Sequence, residues 1–126
     1  MAAPHTDSCD VLVVDDDPFI RTTVSEVLAD AGFVVGTAEN ALEAAHAIDR
    51  TPPKVVILDI RMPGLDGPGL ARDLRARNVQ SKILVMTAAR NAQRYARVLA
   101  ADGYIEKPFE IDDLRAAVEQ LMGGES

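Results

Sequence analysis

The chain of 126 residues contains a single cysteine, Cys9, so no internal disulfide can form, and it has no CxxC pair or His/Cys cluster with zinc-ligand spacing. Such usage suits a reducing cytoplasm. No apolar stretch approaches the roughly 18 residues that a membrane helix requires, and Met1–Asp10 lacks the basic and apolar regions of a signal peptide. Export and insertion into a membrane are both disfavoured. Basic residues are in short supply as well. The 13 Lys and Arg against 20 Asp and Glu give a net charge of −7, the wrong sign for holding a polyanion through counterion release, so no direct nucleic-acid partner is expected. The length leaves room for one domain, and a hydrophobic content of 48% is enough for one packed core. The charge is also partitioned, because Arg61–Arg97 holds eight basic residues and two acidic ones, which leaves the remainder strongly acidic.

What is present is a strict alternation of two patterns. Val11-Leu12-Val13-Val14, Val55-Val56-Ile57-Leu58 and Ile83-Leu84-Val85-Met86 are short, continuous, largely β-branched apolar runs, the signature of strands covered on both faces. The first such strand is expected over Asp10–Val14. Shorter strands are expected at Phe33–Thr37, after the stop signal Ala31-Gly32, and at Tyr104-Ile105, after Asp102-Gly103. Between them lie helical patterns. Pro18 can open the first at its N1 position, with Ile20, Val24, Val27 and Leu28 on one face. Asn40 and Glu43 have capping-box spacing ahead of Leu42, Ala45 and Ile48. Leu70 and Leu74 anchor a third helix, Val98 and Leu99 a short fourth, and Ile111, Leu114, Val118 and Leu121 a fifth. Alternation of this kind predicts an α/β fold: an open, doubly wound parallel sheet of five strands with five helices on its two faces. An eight-stranded barrel would need about 250 residues.

In doubly wound sheets the reactive site lies beyond the carboxyl ends of the strands, so the residues just past each strand carry the functional information. They are Asp15-Asp16-Asp17 after the first strand, Asp59 after the third, Thr87 after the fourth and Lys107-Pro108 after the fifth. Carboxylates brought together repel one another and resist burial. A hard divalent cation would compensate them, and oxygen-only ligands favour magnesium or manganese over zinc. Lys107 can pair with a carboxylate or a phosphoryl oxygen, and Thr87 offers one hydroxyl donor. A metal, an ammonium and a hydroxyl around one carboxylate suit phosphoryl transfer, whose transition state spreads charge over three equatorial oxygens. Asp59 is then the nucleophile and forms an aspartyl phosphate.

Four sequence blocks carry a resemblance. They are Val11-Leu12-Val13-Val14-Asp15-Asp16-Asp17-Pro18, Val56-Ile57-Leu58-Asp59-Ile60-Arg61-Met62-Pro63-Gly64-Leu65-Asp66-Gly67, Leu84-Val85-Met86-Thr87-Ala88 and Gly103-Tyr104-Ile105-Glu106-Lys107-Pro108-Phe109. In order and spacing the chain resembles the receiver domain of bacterial two-component response regulators. The resemblance implies a flavodoxin-like sheet of order 2-1-3-4-5, a receiver unit over residues 10–122, and tails over 1–9 and 123–126. It implies a signalling switch rather than an enzyme, with Asp59 accepting phosphate from a histidine kinase or a histidine phosphotransfer protein. Magnesium would be held by Asp16, Asp59, the backbone carbonyl of Arg61 and, through water, Asp15. Lys107 and Thr87 would bind phosphoryl oxygens, and Tyr104 would be the switch aromatic, turning inward as Thr87 moves. Two departures accompany it: Ala100-Ala101 replaces a usual Gly-Ala pair, and the stretch from Thr87 to Lys107 is short, which implies an abbreviated fourth helix or preceding loop.

Other classes fit less well. Magnesium-dependent phosphatases with a nucleophilic Asp place a second acid two residues beyond it, where this chain has Arg61, and no Gly-x-Gly-x-x-Gly or Walker run comes after the first strand. The output could be a protein contact made by a stand-alone regulator, or a DNA-binding domain on a longer chain of which this is a fragment. Arg90, Arg94 and Arg97 recur at helical spacing, with no acid between Lys82 and Ala101. They form a candidate docking face for an acidic output protein or for a second copy that presents Asp112, Asp113 and Glu119.

Overall fold

The computed structural model describes residues 9–59, 67–88, 92–98 and 100–123. In chain order the elements are β1 (Val11–Val14), α1 (Pro18–Asp30), β2 (Val35–Ala38), α2 (Ala41–Arg50), β3 (Val55–Asp59), α3 (Gly67–Ala76), β4 (Lys82–Thr87), α4 (Ala92–Val98), β5 (Gly103–Glu106) and α5 (Ile111–Gly123). All strand pairs are parallel, and the order across the sheet is β2-β1-β3-β4-β5.

The central strands are apolar throughout because the sheet is covered twice. Every residue of β1 and β3 is buried. Alternate side chains then sort into two core layers, as the period of two in a strand requires. Leu12, Val14, Val56, Leu58, Ile83 and Val85 pack with Ala44 and Ile48 of α2 and with Leu70 and Leu74 of α3. Val11, Val13, Val55, Ile57, Leu84 and Met86 pack with Val24 and Leu28 of α1 and with Leu114 and Val118 of α5.

Local chemistry fixes where the helices start and stop. Pro18 opens α1, and the Asp17 carboxylate caps it by accepting from the Phe19 amide at 2.9 Å. Gly32, at φ +101°, ends it, and the Phe33 amide still closes the helix onto the Leu28 carbonyl at 3.1 Å. That bond explains why β2 begins at Val35 rather than at Phe33: Phe33 belongs to the helix stop, and the first partner of Val11 in the register is Val35. Likewise β1 begins at Val11, since the Asp10 amide bonds the Val34 carbonyl ahead of the ladder. Asn40 caps α2 by accepting from the Glu43 amide at 2.8 Å, and the Glu43 carboxylate returns to the Glu39 amide at 2.8 Å.

Two apolar positions expected in the core lie outside it. Leu42 is 67% exposed because the stripe on α2 is set by Ala44 and Ile48, four residues apart. Ile111 is 56% exposed. It is the first residue of α5, and a helical Cα–Cβ bond tilts toward the N-terminus, so its side chain projects past the helix end instead of onto the sheet. Two residues expected in the tails are structured: Cys9 packs half-buried against one core layer, where burial raises its thiol pKa, and Gly123 closes α5. The remainder of both tails, and Leu99 with the side chain of Val98, fall outside the described residues.

At the amino end of the sheet Asp102 ties β4 to its neighbours. Its Oδ2 accepts from the Ile83 amide at 2.8 Å and from Arg75 Nη2 at 2.6 Å, while Arg75 also reaches the Ser81 carbonyl at 3.1 Å.

The cap on α2 gives a measurable expectation. Asn40→Ala should lower unfolding free energy by about 1 kcal/mol in denaturant melts, and Asn40→Asp should restore most of it.

Candidate functional site

Strand register builds the site. Val14 pairs with Leu58 across β1 and β3, so the next residue of each chain segment, Asp15 and Asp59, emerges beside the other at the carboxyl edge. This is also the point where the chain order reverses, β2 lying to one side of β1 and β3 to the other. Thr87 ends β4 opposite Glu106, and its carbonyl accepts from the Lys107 amide at 2.9 Å. The backbone thereby delivers Lys107 to the same edge. The Lys107–Pro108 peptide bond is cis.

Asp15 and Thr87 are fully buried and Asp59 is 4% exposed. Between the carboxylates sits one ammonium: Lys107 Nζ is 2.6 Å from Asp59 Oδ2 and 3.4 Å from Asp15 Oδ2. The other oxygen of Asp15 accepts from the Asp17 amide at 2.9 Å. Burial pushes the Asp15 carboxyl up to about 6, the Asp17 amide opposes this, and the nearby charge of Asp59 raises it further. For Lys107 burial pulls the pKa down, but the hydrogen bond and charge of Asp59, aided by Asp15, outweigh it and hold the ammonium above the ordinary lysine value. The lysine stays charged, and among the described residues it is the cation that both buried carboxylates contact.

Asp16 and Asp17 lie on the exposed turn just after Asp15. Among the described residues no three acidic, imidazole or thiol groups converge on one point. The donor set at the edge is nonetheless all hard oxygen, and its negative charge exceeds what Lys107 supplies. That chemistry fits a small divalent cation coordinated by oxygen and excludes a thiolate or imidazole metal site.

Of the residues singled out from sequence, Asp15, Asp59 and Lys107 are in direct contact, and Thr87 joins them through the backbone bond to Lys107. Tyr104, on β5, is 42% exposed. Arg94 and Arg97 are exposed on α4, away from these contacts, and among the described residues neither has an acid within ion-pair distance. Arg61 and Arg90 lie outside the described residues. One contributor was missed from sequence: Arg21 of α1, whose Nη1 donates to the Asp15 carbonyl at 2.8 Å. The available signal was a basic residue in the first helix, close after three acids.

Comparison with known proteins bears on the chain and its fold. Residues 11–119 match the profile of the response regulator receiver domain. The chain is 39% identical over 114 residues to the DNA-binding transcriptional regulator NtrC of Escherichia coli K12, covering 89% of this chain and 24% of NtrC. It is 38% identical over 114 residues to the transcriptional regulatory protein PhoP of the same strain, covering 89% of this chain and 51% of PhoP. It thus spans about a quarter of the first relative and about half of the second. Among solved structures, the response regulator TrrA of Thermotoga maritima, in complex with Mg(2+)-BeF, superposes with a TM-score of 0.80 at 38% identity, covering 88% of this chain and 96% of that one.

The raised pKa of Asp15 has a direction that can be checked. A carboxyl that titrates higher in the folded chain than its ordinary 3.8 binds more protons folded than unfolded in the interval up to about 6. Its contribution to stability is present at the acid end and is lost as pH rises through that interval. In metal-free buffer with chelator, urea melts should therefore show Asp15→Asn gaining stability relative to the parent between pH 4 and pH 7. A constant difference across the range would contradict the shift.

Proposed function

Because the chain belongs to the response regulator receiver domain family, we propose that it takes a phosphoryl group from a phosphohistidine onto Asp59 and so switches a protein-binding surface. The donor is a histidine kinase or a histidine phosphotransfer protein, and the receiver unit is residues 10–122. The module is a signalling switch that assists its own phosphorylation and dephosphorylation. A cytoplasmic location accompanies this reading, and no described helix is long and apolar enough to cross a membrane.

The observation that carries the proposal is the Lys107 ammonium held at 2.6 and 3.4 Å from the buried carboxylates of Asp59 and Asp15. In the transfer an Asp59 carboxylate oxygen bonds to phosphorus while the phosphorus–nitrogen bond to the donor imidazole breaks, and the imidazole takes up a proton. The group that arrives adds negative charge where carboxylates already outnumber cations. Lys107 meets one phosphoryl oxygen as an ammonium, and the Thr87 hydroxyl donates to another. Asp15, Asp16, Asp59 and the Arg61 backbone carbonyl would hold magnesium. When bound, the ion supplies the charge neutralisation that lets a dianionic donor approach these acids.

The output surface in this reading is the face from helix four to helix five. Arg94 and Arg97 supply positive charge from α4, which packs against the strand that bears Tyr104, whose exposed ring is the element that reports the state of Thr87. Arg90, outside the described residues, is assigned to the same face by its sequence spacing alone. An acidic output protein, or a second copy presenting Asp112, Asp113 and Glu119, fits that charge, and the effect would appear in association rate and salt dependence. A transcriptional output, as in the longer relatives, would come from a separate domain, since the charge balance of this chain gives no reason to expect nucleic-acid contact. A phosphatase reading has no second acid two residues beyond Asp59 to support it.

Two experiments test the proposal. Incubated with a small acyl phosphate and magnesium, the parent should gain the mass of one phosphoryl group and Asp59→Asn should not; equal modification of both would falsify it. For the surface, the double variant Arg94→Glu, Arg97→Glu should phosphorylate normally yet lose self-association or output binding at low salt, whereas undiminished binding would assign these arginines to solvent.

A further inference from the structure

The turn that carries the acidic residues is closed by four hydrogen bonds. The Asp15 carboxylate accepts from the Asp17 amide at 2.9 Å, the Asp17 carboxylate accepts from the Phe19 amide at 2.9 Å, and the Asp17 carbonyl accepts from the Arg21 amide at 3.0 Å. The fourth runs backwards, from Arg21 Nη1 to the Asp15 carbonyl at 2.8 Å. The first three are bonds that any Asp-capped helix start can make. The fourth depends on one long side chain.

Its acceptor matters. The Asp15 carbonyl belongs to the peptide plane that joins Asp15 to Asp16, so an anchor on that oxygen holds this plane. The plane after Asp16 is held by the Asp17 amide on the Asp15 carboxylate, and with both planes held the direction of the Asp16 Cα–Cβ bond is set. The strand ladder holds the preceding plane, through the Asp15 amide and the Ala38 carbonyl at 3.2 Å, and Arg21 holds the next one. A guanidinium is suited to this task because its planar fork is pre-organised and remains charged at any physiological pH.

We propose that Arg21 is a positioning residue for the divalent-cation site: it acts through the Asp15 carbonyl to aim Asp16 and to keep the acidic turn in register with Asp59. The proposal rests on the reading of Asp15, Asp16 and Asp59 as magnesium ligands. Two effects of removing Arg21 have opposite signs. Loss of a positive charge beside three acids would by itself strengthen cation binding, while loss of the anchored peptide plane weakens it. The second dominates in this proposal, so the sign of the change is diagnostic.

The experiment is a magnesium titration of the full chain tracked by amide chemical shifts, on the parent, Arg21→Met and Arg21→Lys, with melts in chelator as a control for folding. Arg21→Met should bind magnesium about tenfold more weakly, the low end of what outer-shell partners of metal ligands contribute, and Arg21→Lys should recover most of the affinity. If Arg21→Met fails to fold, Arg21→Gln, which keeps a donor without the charge, serves in its place and should bind more weakly than Arg21→Lys. Affinity in the uncharged variant equal to or tighter than the parent's overturns the role of Arg21 and leaves the metal reading standing. A parent that takes up no magnesium overturns both.

Discussion

Two carboxylates buried at the end of adjacent parallel strands, with one ammonium between them, define this molecule more than any other contact. Asp15 and Asp59 emerge together because Val14 and Leu58 are paired, and the fold has no freedom to separate them without breaking the central ladder. Lys107 makes the arrangement tolerable, arriving from the far side of the sheet along β5 and bonding by its own amide to the end of β4. The cation is held by the folded topology rather than by sequence neighbours. Burial, with the charge of Asp59 added to it, keeps the Asp15 pKa elevated despite the ammonium, and two carboxylates against one lysine leave negative charge that a cation from solution can satisfy.

Much of this was readable from residues alone, for definite reasons. The doubly covered strands β1, β3 and β4 show as continuous apolar runs because burial on both faces removes the polar alternation, and the caps at Asp17 and Asn40 are local chemistry that needs no tertiary information. Asp15, Asp59, Thr87 and Lys107 were legible because parallel strands all end on one edge, so polar residues at successive strand ends become spatial neighbours. The errors came where a side chain's neighbours depend on three-dimensional placement. Leu42 and Ile111 satisfy the apolar pattern of a helix, yet one lies off the stripe that meets the sheet and the other projects beyond the helix end. Arg21 was missed for a related reason: a basic residue close after three acids was the one signal, and it does not say that the guanidinium will reach the Asp15 carbonyl.

The basic segment divides in a similar way. Arg75 pairs with Asp102, and Arg77 pairs with Asp49 and Asp73, so these arginines bind α3 to its surroundings. Arg94 and Arg97 stand on α4 without comparable ties among the described residues, next to the strand that bears Tyr104. Sequence composition counted all of them in one basic segment, whereas the structure separates ties internal to the fold from charge directed outward.

The pairing of Val14 with Leu58 also bears on how such a chain can vary over evolutionary time. Shortening β3 by one residue would draw its end back by about 3.3 Å and turn every later side chain to the opposite face, so the carboxylate of Asp59 would leave Asp15 and enter a core layer. Substitutions along the helices change only how well a layer is filled. Strand length is therefore the inherited quantity on which the chemistry rests, and lineages that lengthen or shorten the chain can do so in the loops while these few residues of ladder stay the same.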